Sequence, residues 1–197
     1  MNRSARSVLF GFGVSVISLL STPAWLTTYG RLAQAQDTGL ESKKIVPFVP
    51  TPQEVVDKML ALARVKKGDV VYDMGSGDGR VVITAARKYG VKAIGFEIDR
   101  DLIRQSRKRI KKEGLEQLAE IREQDILTVD FSPATVVTMY LLPEVNLLLK
   151  PKVRSQLKRG SRIVSHAFSM GDWKPDKVVQ VKDPSSYERT LYLWTIK

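Results

Sequence analysis

The segment from residue 70 to residue 80 constrains the fold more than any other part of the chain. An apolar run, Val70–Tyr72, ends in Asp73, and three glycines follow at every second position: Gly75, Gly77 and Gly79. Glycine adopts the positive φ angles of tight turns and leaves the backbone bare for a ligand. Because a helical pattern follows, the segment predicts a strand, a turn and a helix N-terminus, which together bind nucleotide-type ligands.

The spacing and charge of this loop argue against a dinucleotide. Dinucleotide loops follow G-x-G-x-x-G and place a pyrophosphate on the helix N-terminus. Here the third glycine comes one position early, and Arg80 stands where that pattern has glycine. Asp73 and Asp78 flank the turn, and their carboxylates would repel a pyrophosphate. S-adenosylmethionine fits better, because it carries an ammonium group and a sulfonium and has no phosphate.

Two more acids follow the next predicted strands. Glu97 ends the stretch 93–96, and an acid about 20 residues after such a loop usually binds ribose hydroxyls. Asp125 follows the third predicted strand, where it can accept a hydrogen bond from an adenine amino group. Asp78 either accepts from the ligand or begins the helix. The predicted cofactor-binding residues are therefore Asp73, Gly75, Ser76, Gly77, Asp78, Gly79, Glu97 and Asp125.

Strands that alternate with helices predict an α/β fold. We expect a Rossmann-like three-layer sandwich with a mostly parallel seven-stranded sheet and an antiparallel C-terminal strand. The stretches 177–181 and 187–196 predict the antiparallel pair that closes the sheet. The sequence of residues 51–54 predicts a capping box at the start of the first helix. Two short helices, 145–149 and 153–158, are expected after the fourth strand.

Residues 45–197 resemble the class I, seven-strand S-adenosylmethionine-dependent methyltransferases. The chain is most similar to the small protein-lysine methyltransferases that act on the mitochondrial ATP synthase c-subunit and the ADP/ATP carrier. The matching segments are residues 48–51, 73–83, 95–97, 168 and 173–176. The resemblance implies S-adenosyl-L-methionine as cofactor and a lysine amine of a protein as methyl acceptor. A membrane-embedded protein is one such partner.

Methyl transfer to lysine requires a neutral amine, and burial in an apolar slot lowers the pKa of that amine. Tyr140, at the end of the fourth predicted strand, is the predicted aromatic wall and a candidate catalytic residue. Phe168 and Trp173 are either further wall residues or loop anchors. Glu144, the second candidate catalytic residue, either orients an ammonium and accepts its proton or starts a helix. We interpret His166 as a hydrogen-bonded structural histidine.

Other substrates remain alternatives. Methyltransferases of base or glutamine amide nitrogens carry an Asn/Asp-Pro-Pro-aromatic loop after strand four, whereas residues 141–144 here read Leu-Leu-Pro-Glu. A quinone-like small molecule and RNA are the alternative acceptors. The basic helix 101–112 lacks the interleaved aromatic residues that bind single strands, so a nucleic-acid partner is not favoured. A cofactor-free module that binds anionic surfaces is the non-enzymatic alternative.

Composition limits the chemistry further. The chain has no cysteine and one histidine, which excludes disulfides, a thiol nucleophile and His or Cys metal clusters, so no metal is expected. Its formal net charge of +11 favours anionic partners such as a membrane surface.

The N-terminus has the organisation of a targeting segment. Arg3 and Arg6 precede an apolar run at 8–20, and residues 33–35 offer a small-x-small cleavage site. The run is short for a spanning helix, yet the distance to the cleavage site is long for a signal peptide. Residues 1–35 are therefore predicted to be a signal peptide or a membrane anchor.

The end of the predicted targeting segment sets the remaining domain boundaries. Residues 36–44 are predicted to be a polar linker and residues 45–197 the methyltransferase domain. We expect an exported or membrane-anchored protein, with an anchor that leaves the domain facing the cytosol as the alternative.

Overall fold

The computed structural model describes residues 48–183 and 185–197. The predicted signal peptide or anchor and the predicted linker lie outside the described residues. Within the described part of the chain, no helix combines the length and apolar character needed to cross a membrane.

A seven-stranded sheet forms the centre of the fold. In chain order its strands are β1 (Val70–Met74), β2 (Lys92–Glu97), β3 (Ala119–Glu123), β4 (Val136–Met139), β5 (Arg162–His166), β6 (Lys177–Lys182) and β7 (Glu188–Thr195). The order across the sheet is β3-β2-β1-β4-β5-β7-β6. The strand β7 pairs antiparallel with β5 and β6, and the other pairings are parallel. The predicted fold class is confirmed.

Helices cover both faces of this sheet. They are α1 (Gln53–Leu62), α2 (Arg80–Tyr89), α3 (Arg100–Lys112) and α4 (Pro143–Gln156). The first three pack into one core with alternate strand residues such as Val136, and α4 packs into a second core with the intervening residues such as Val137. This alternation places strand side chains on opposite faces and produces three layers.

Local sequence sets the ends of two helices that border the site. Gly79 at φ +77° precedes α2, and Gly90 at φ +63° ends it while donating to the Ala86 carbonyl. The helix α3 begins after Asp99, whose side chain accepts from the backbone of Asp101 and Leu102.

The predicted capping box at α1 is wrong. Pro52 is the N-cap of this helix, and no side chain caps it. The Thr51 hydroxyl instead lies 3.2 Å from Nδ1 of His166 on β5. Because Pro52 is the N-cap, Thr51 lies outside the first turn of the helix. Its hydroxyl therefore contacts His166 and not a backbone N–H group of the helix.

The prediction of two short helices after β4 is also wrong, because α4 is continuous through Pro151. Proline removes one backbone donor and usually breaks a helix. Pro151 faces solvent here, whereas Leu149 and Val153 on either side are fully buried. The buried leucine and valine hold the helix together across the missing hydrogen bond.

The sheet register brings the predicted site residues to one edge. Asp73 near the end of β1 is level with Gly95 of β2 and Thr138 of β4. Because parallel strands present their carboxyl ends at the same edge, ligands bind there in sheets of this type.

Candidate active site

A cleft opens at this edge between the glycine loop (residues 75–79) and an N-terminal arm (residues 48–52). Six of the eight predicted cofactor residues line it together with the predicted wall residue: Asp73, Gly75, Ser76, Asp78, Glu97, Asp125 and Tyr140. The structure therefore brings together acids from the ends of three strands, as the sequence predicts.

Gly77 and Gly79 shape the loop from outside the cleft lining. A Cβ on Gly77, which has φ +54°, would lie 2.3 Å from the Phe48 ring. A Cβ on Gly79 would lie 2.8 Å from the Cβ of Ser106 on α3. These glycines permit positive φ angles and let the arm and α3 approach the loop backbone closely.

Asp73 is a buried carboxylate without a cationic partner among the described residues. The Thr138 hydroxyl donates to its Oδ1 at 2.7 Å. Burial raises the pKa of Asp73 to about 7, and the nearby charges of Glu97 and Asp78 raise it further, while the Thr138 hydrogen bond opposes them. A bound cation would offset the free-energy cost of burying the ionised Asp73 carboxylate.

Glu97 is held by three backbone N–H groups. Its Oε1 accepts from Ile98 at 2.8 Å and from Asp99 at 3.0 Å, and its Oε2 accepts from Gly77 at 2.8 Å. Since a carboxylate oxygen accepts about two hydrogen bonds, Oε2 retains one acceptor position for a ligand hydroxyl. The contact with Gly77 also fixes the glycine loop to the end of β2.

Asp78 stabilises the start of α2, which is the alternative to a direct contact with the ligand. Its Oδ1 accepts from the Arg80 backbone and side chain, and its Oδ2 accepts from Arg80 and Arg109. Burial alone would raise the pKa of Asp78, but the hydrogen bonds and charges of the two arginines hold it below its usual value. Arg80 also donates to the Thr51 carbonyl and so anchors the N-terminal arm.

Asp125 lies between β3 and a short 3-10 helix, Ile126–Thr128. Its Oδ1 accepts from the Leu127 backbone at 2.9 Å and caps this turn, while the residue also lines the cleft. The capping bond fixes the carboxylate at the cleft edge. Its contact with an adenine amino group stays a prediction.

Three rings stand together at the other end of the cleft. The Tyr140 ring lies 4.0 Å from the His166 ring and 6.4 Å from the Phe168 ring, centroid to centroid. His166 is fully buried, and its Nε2 has no hydrogen-bond partner among the described residues. Burial lowers the pKa of His166 to about 4, with a smaller effect of the Arg189 charge, so the imidazole is neutral at pH 7.

A strained turn brings Phe168 to this group. Ala167 has φ +67°, and the Phe168 N–H donates to the His166 carbonyl at 2.9 Å, which closes a γ-turn. Asn146 of α4 donates to the carbonyls of Phe168 and Ser169. Such backbone strain concentrates at functional sites, where surrounding contacts enforce it.

Comparison with known proteins identifies the family of this chain. The sequence profile of the ANTKMT methyltransferase domain matches residues 73–177, which is more than half of the chain. The chain belongs to this methyltransferase family. The predicted resemblance to small lysine methyltransferases is therefore confirmed.

Individual relatives give the same result. A protein-lysine N-methyltransferase of Saccharolobus islandicus is 47% identical over 77% of this chain and 94% of its own length. The human lysine N-methyltransferase of the ATP synthase c-subunit is 35% identical over 69% of this chain. The match spans 58% of the human protein's length.

A solved structure links the family to its cofactor. It is described as an RNA methyltransferase from Salinibacter ruber in complex with S-adenosyl-L-homocysteine. It is 51% identical, covers 75% of this chain and 94% of that chain, and superposes with a TM-score of 0.71. The methyltransferase is therefore an enzyme that uses S-adenosylmethionine, which confirms the predicted cofactor and sets aside the cofactor-free binding module.

The cleft of the methyltransferase fits this cofactor. Asp73 is a desolvated acid that a cationic group would stabilise, and Oε2 of Glu97 can accept from a ribose hydroxyl. The buried Ser76 hydroxyl has no partner among the described residues, which leaves one more polar atom at the loop for the ligand.

Three predicted residues lie outside the cleft lining of the methyltransferase: Trp173, Glu144 and Phe168, which is behind Tyr140. Trp173 packs against Trp194 at 5.9 Å between ring centroids, and the Arg154 guanidinium covers it at 5.2 Å, so it is a loop anchor. Glu144 is exposed in the first turn of α4. This position matches the helix-start alternative, and its catalytic role stays a prediction.

Sequence reasoning assigned no part in the cofactor site to the arm of the methyltransferase. Phe48, Val49 and Thr51 line the cleft, although only their similarity to related sequences drew attention to them. Leu141 also lines it and would contact a Cβ on Gly75 at 3.0 Å. An arm that folds back over the loop has no local sequence signal, because its partners are distant in the chain.

Proposed function

We propose that this enzyme transfers the methyl group of S-adenosylmethionine to the ε-amine of a lysine in a protein substrate. The observation that carries the proposal is that Tyr140, with Phe168 and His166 behind it, lines the same cleft as Asp73. An aromatic wall beside a cation-binding acid suits an amine acceptor that must lose its charge before it reacts. The names of the lysine methyltransferase relatives support the same acceptor.

Each part of the cleft has a distinct task in this mechanism. S-adenosylmethionine, when bound, supplies an electrophilic methyl group. Asp73 holds the cationic end of the cofactor and Glu97 its ribose, which fixes the direction of the transfer. Tyr140 and Phe168 exclude water from the entering lysine side chain, and this desolvation lowers the amine pKa.

Proton removal then precedes methyl transfer. The described residues that line the cleft offer no histidine, and the neutral His166 lies buried beneath Tyr140 with a pKa of about 4. His166 is therefore too weak a base to hold the proton of a lysine. The ammonium therefore loses its proton to water or to Glu144 as it enters the apolar slot.

RNA is the second candidate acceptor, because the 51% identical structure is described as an RNA methyltransferase. The basic helix α3 gives this candidate limited support. Arg107 donates to the Ile121 carbonyl and Arg109 to Asp78, while Arg104 pairs with Asp101. These three arginines are therefore engaged in contacts within the chain, the Arg104–Asp101 pair on its surface. A quinone-like small molecule remains the third alternative.

One labelling experiment separates these acceptors. The full chain is incubated with methyl-labelled S-adenosylmethionine and a cell extract, and the products are treated with protease or ribonuclease. We expect label that protease releases, and a methylated lysine in tandem mass spectrometry. Asp73→Asn abolishes the labelling. Label that only ribonuclease releases overturns the proposal in favour of RNA, and label in the organic extract favours a small molecule.

We also propose that the enzyme is exported or membrane-anchored and that its protein substrate is embedded in a membrane. The support is the apolar run at residues 8–20 after Arg3 and Arg6, together with the net charge of +11. An anchor that keeps the domain in the cytosol would give it direct access to the cofactor. Membrane fractionation with protease protection of a C-terminal tag tests both the anchor and its orientation.

A further inference from the structure

Large apolar side chains that face solvent are concentrated around the cleft. Eight large apolar side chains are exposed among the described residues, and six of them lie in or next to the cleft lining or on the first two turns of α4: Phe48, Val49, Leu127, Leu142, Leu147 and Leu148. We call these six residues the apolar rim. Scattered apolar residues are normal on a surface, whereas a group of this kind marks an interaction site.

The exposed leucines at the start of α4 lie outside both hydrophobic cores. Leu148 is 60% exposed and Leu142 is 36% exposed. The helix packs its opposite face into the core through Val145 and Leu149. An amphipathic helix normally presents polar residues to water. The exposed leucines therefore occupy positions at which the stability of the fold alone would favour polar side chains.

An acidic residue, Glu144, lies beside the apolar rim. Glu144 lies three and four residues before Leu147 and Leu148 and so shares their face of α4. Its carboxylate makes no hydrogen bond or ion pair with any other described residue. A carboxylate among leucines favours a ligand that is apolar and carries a positive charge.

We propose that the apolar rim binds an apolar segment of the protein substrate that contains the target lysine, with Glu144 attracting the lysine ammonium toward the cleft. This inference rests on the proposed function for its lysine. The rim continues into the cleft through Phe48 and Val49, so the same segment can reach both surfaces. A lipid surface offers no lysine to place beside Glu144, so we treat it as a competing outcome of the test.

The test measures binding separately from methyl transfer. The full chain, saturated with S-adenosylhomocysteine, is titrated into a fluorescent peptide in which leucines and alanines flank a single lysine. A matched peptide has serine in place of each leucine. The test variant is Leu142→Ser/Leu148→Ser. The control variant is Val178→Ser, which removes a 51% exposed apolar side chain from the edge strand β6.

We expect the leucine peptide to bind about tenfold tighter than the serine peptide, because it buries apolar surface on the rim. The double variant removes this preference, and Val178→Ser retains it. Glu144→Gln weakens binding of both peptides and reduces its salt dependence. The serine replacements lie on exposed positions, and a thermal melt checks that the double variant folds.

Two results overturn the inference. One is a double variant that keeps the full preference for the leucine peptide. The other is leucine-dependent binding to anionic phospholipid vesicles with no binding of the leucine peptide, which assigns the rim to a bilayer. If the peptide binds through the rim but a parallel incubation with S-adenosylmethionine yields no methylated lysine in mass spectrometry, the docking surface stands and the proposed lysine transfer fails.

Discussion

The Thr51 hydroxyl contacts Nδ1 of His166 at 3.2 Å across a separation of 115 residues. Thr51 belongs to the N-terminal arm that lines the cofactor end of the cleft, whereas His166 supports the Tyr140 ring at the acceptor end. The contact therefore connects the two ends of the site through one buried hydrogen bond. Arg80 secures the same arm through the Thr51 carbonyl.

Thr51→Val tests this connection. The change keeps the shape of the side chain and removes the hydroxyl, which leaves His166 Nδ1 without its partner. We expect a loss of about 1–2 kcal/mol in the free energy of unfolding, the typical effect of an orphaned buried polar group. Urea denaturation followed by circular dichroism measures it. Unchanged stability would show that the hydroxyl and imidazole are not bonded in solution.

Cofactor affinity should depend on pH through Asp73. The pKa of this carboxyl is about 7 in the free protein, and a bound cation lowers it, so binding releases a proton below that pH. We therefore expect the affinity for S-adenosylmethionine to rise about tenfold between pH 6 and pH 8. Isothermal titration calorimetry in two buffers with different ionisation enthalpies measures both the affinity and the released proton.

Asp73→Asn is the control for this pH dependence. The amide keeps an acceptor for the Thr138 hydroxyl but cannot ionise. We expect weak binding that does not change across the same pH range. A pH dependence that survives in the variant would assign the proton to another group in the cleft.

Gly77 and Gly90 form a matched pair for testing the arm. Both have positive φ angles, so an alanine costs about 1 kcal/mol of backbone strain at either position. At Gly77 the new Cβ also falls 2.3 Å from the Phe48 ring, whereas nothing lies within 4 Å at Gly90. We expect Gly77→Ala to displace the arm and weaken S-adenosylhomocysteine binding at least about tenfold, and Gly90→Ala to affect stability alone.

Isothermal titration calorimetry of both glycine variants measures whether the arm contributes to cofactor binding. Equal affinities for S-adenosylhomocysteine would mean that the arm contributes nothing to cofactor binding. A large loss in Gly90→Ala would instead point to a general defect in α2.

The strained turn after β5 provides a further test. Ala167 has φ +67°, where a β-branched side chain is strongly disfavoured. We expect Ala167→Val to cost about 2 kcal/mol and to displace Phe168, while Ala167→Gly leaves stability within about 1 kcal/mol. Thermal denaturation of the two variants measures the difference. Equal effects would show that the turn relaxes without cost.

The parts of the fold that depend on local pattern could be predicted from the sequence. Asp73 and Glu97 follow apolar stretches and Asp125 follows an alternating one, and parallel strands bring such ends to one edge regardless of the details of packing. The glycine spacing likewise predicted the turn before α2. These features follow from chain direction and backbone geometry alone.

The remaining features depend on partners far away in the chain. Thr51 has the sequence of a helix cap, but the distant His166 takes its hydroxyl. Pro151 predicts a break in α4, which buried neighbours prevent. Phe168 and Trp173 are both aromatic residues after β5, and only the tertiary structure shows that one faces Tyr140 and the other Trp194.

This last difference gives a prediction about the acceptor end of the site. Phe168→Ala removes a ring stacked on Tyr140, so the acceptor slot admits more water and the lysine amine stays charged for longer. We expect a higher KM for a lysine peptide and a pH–rate profile shifted to higher pH, with S-adenosylhomocysteine affinity unchanged. Trp173→Ala removes a half-buried ring that packs on Trp194, so it should cost about 1–2 kcal/mol of stability and leave the pH–rate profile in place. Steady-state kinetics of the two variants across pH, with calorimetry for the cofactor product, separate the two roles, and identical profiles for both would exclude Phe168 from the acceptor wall.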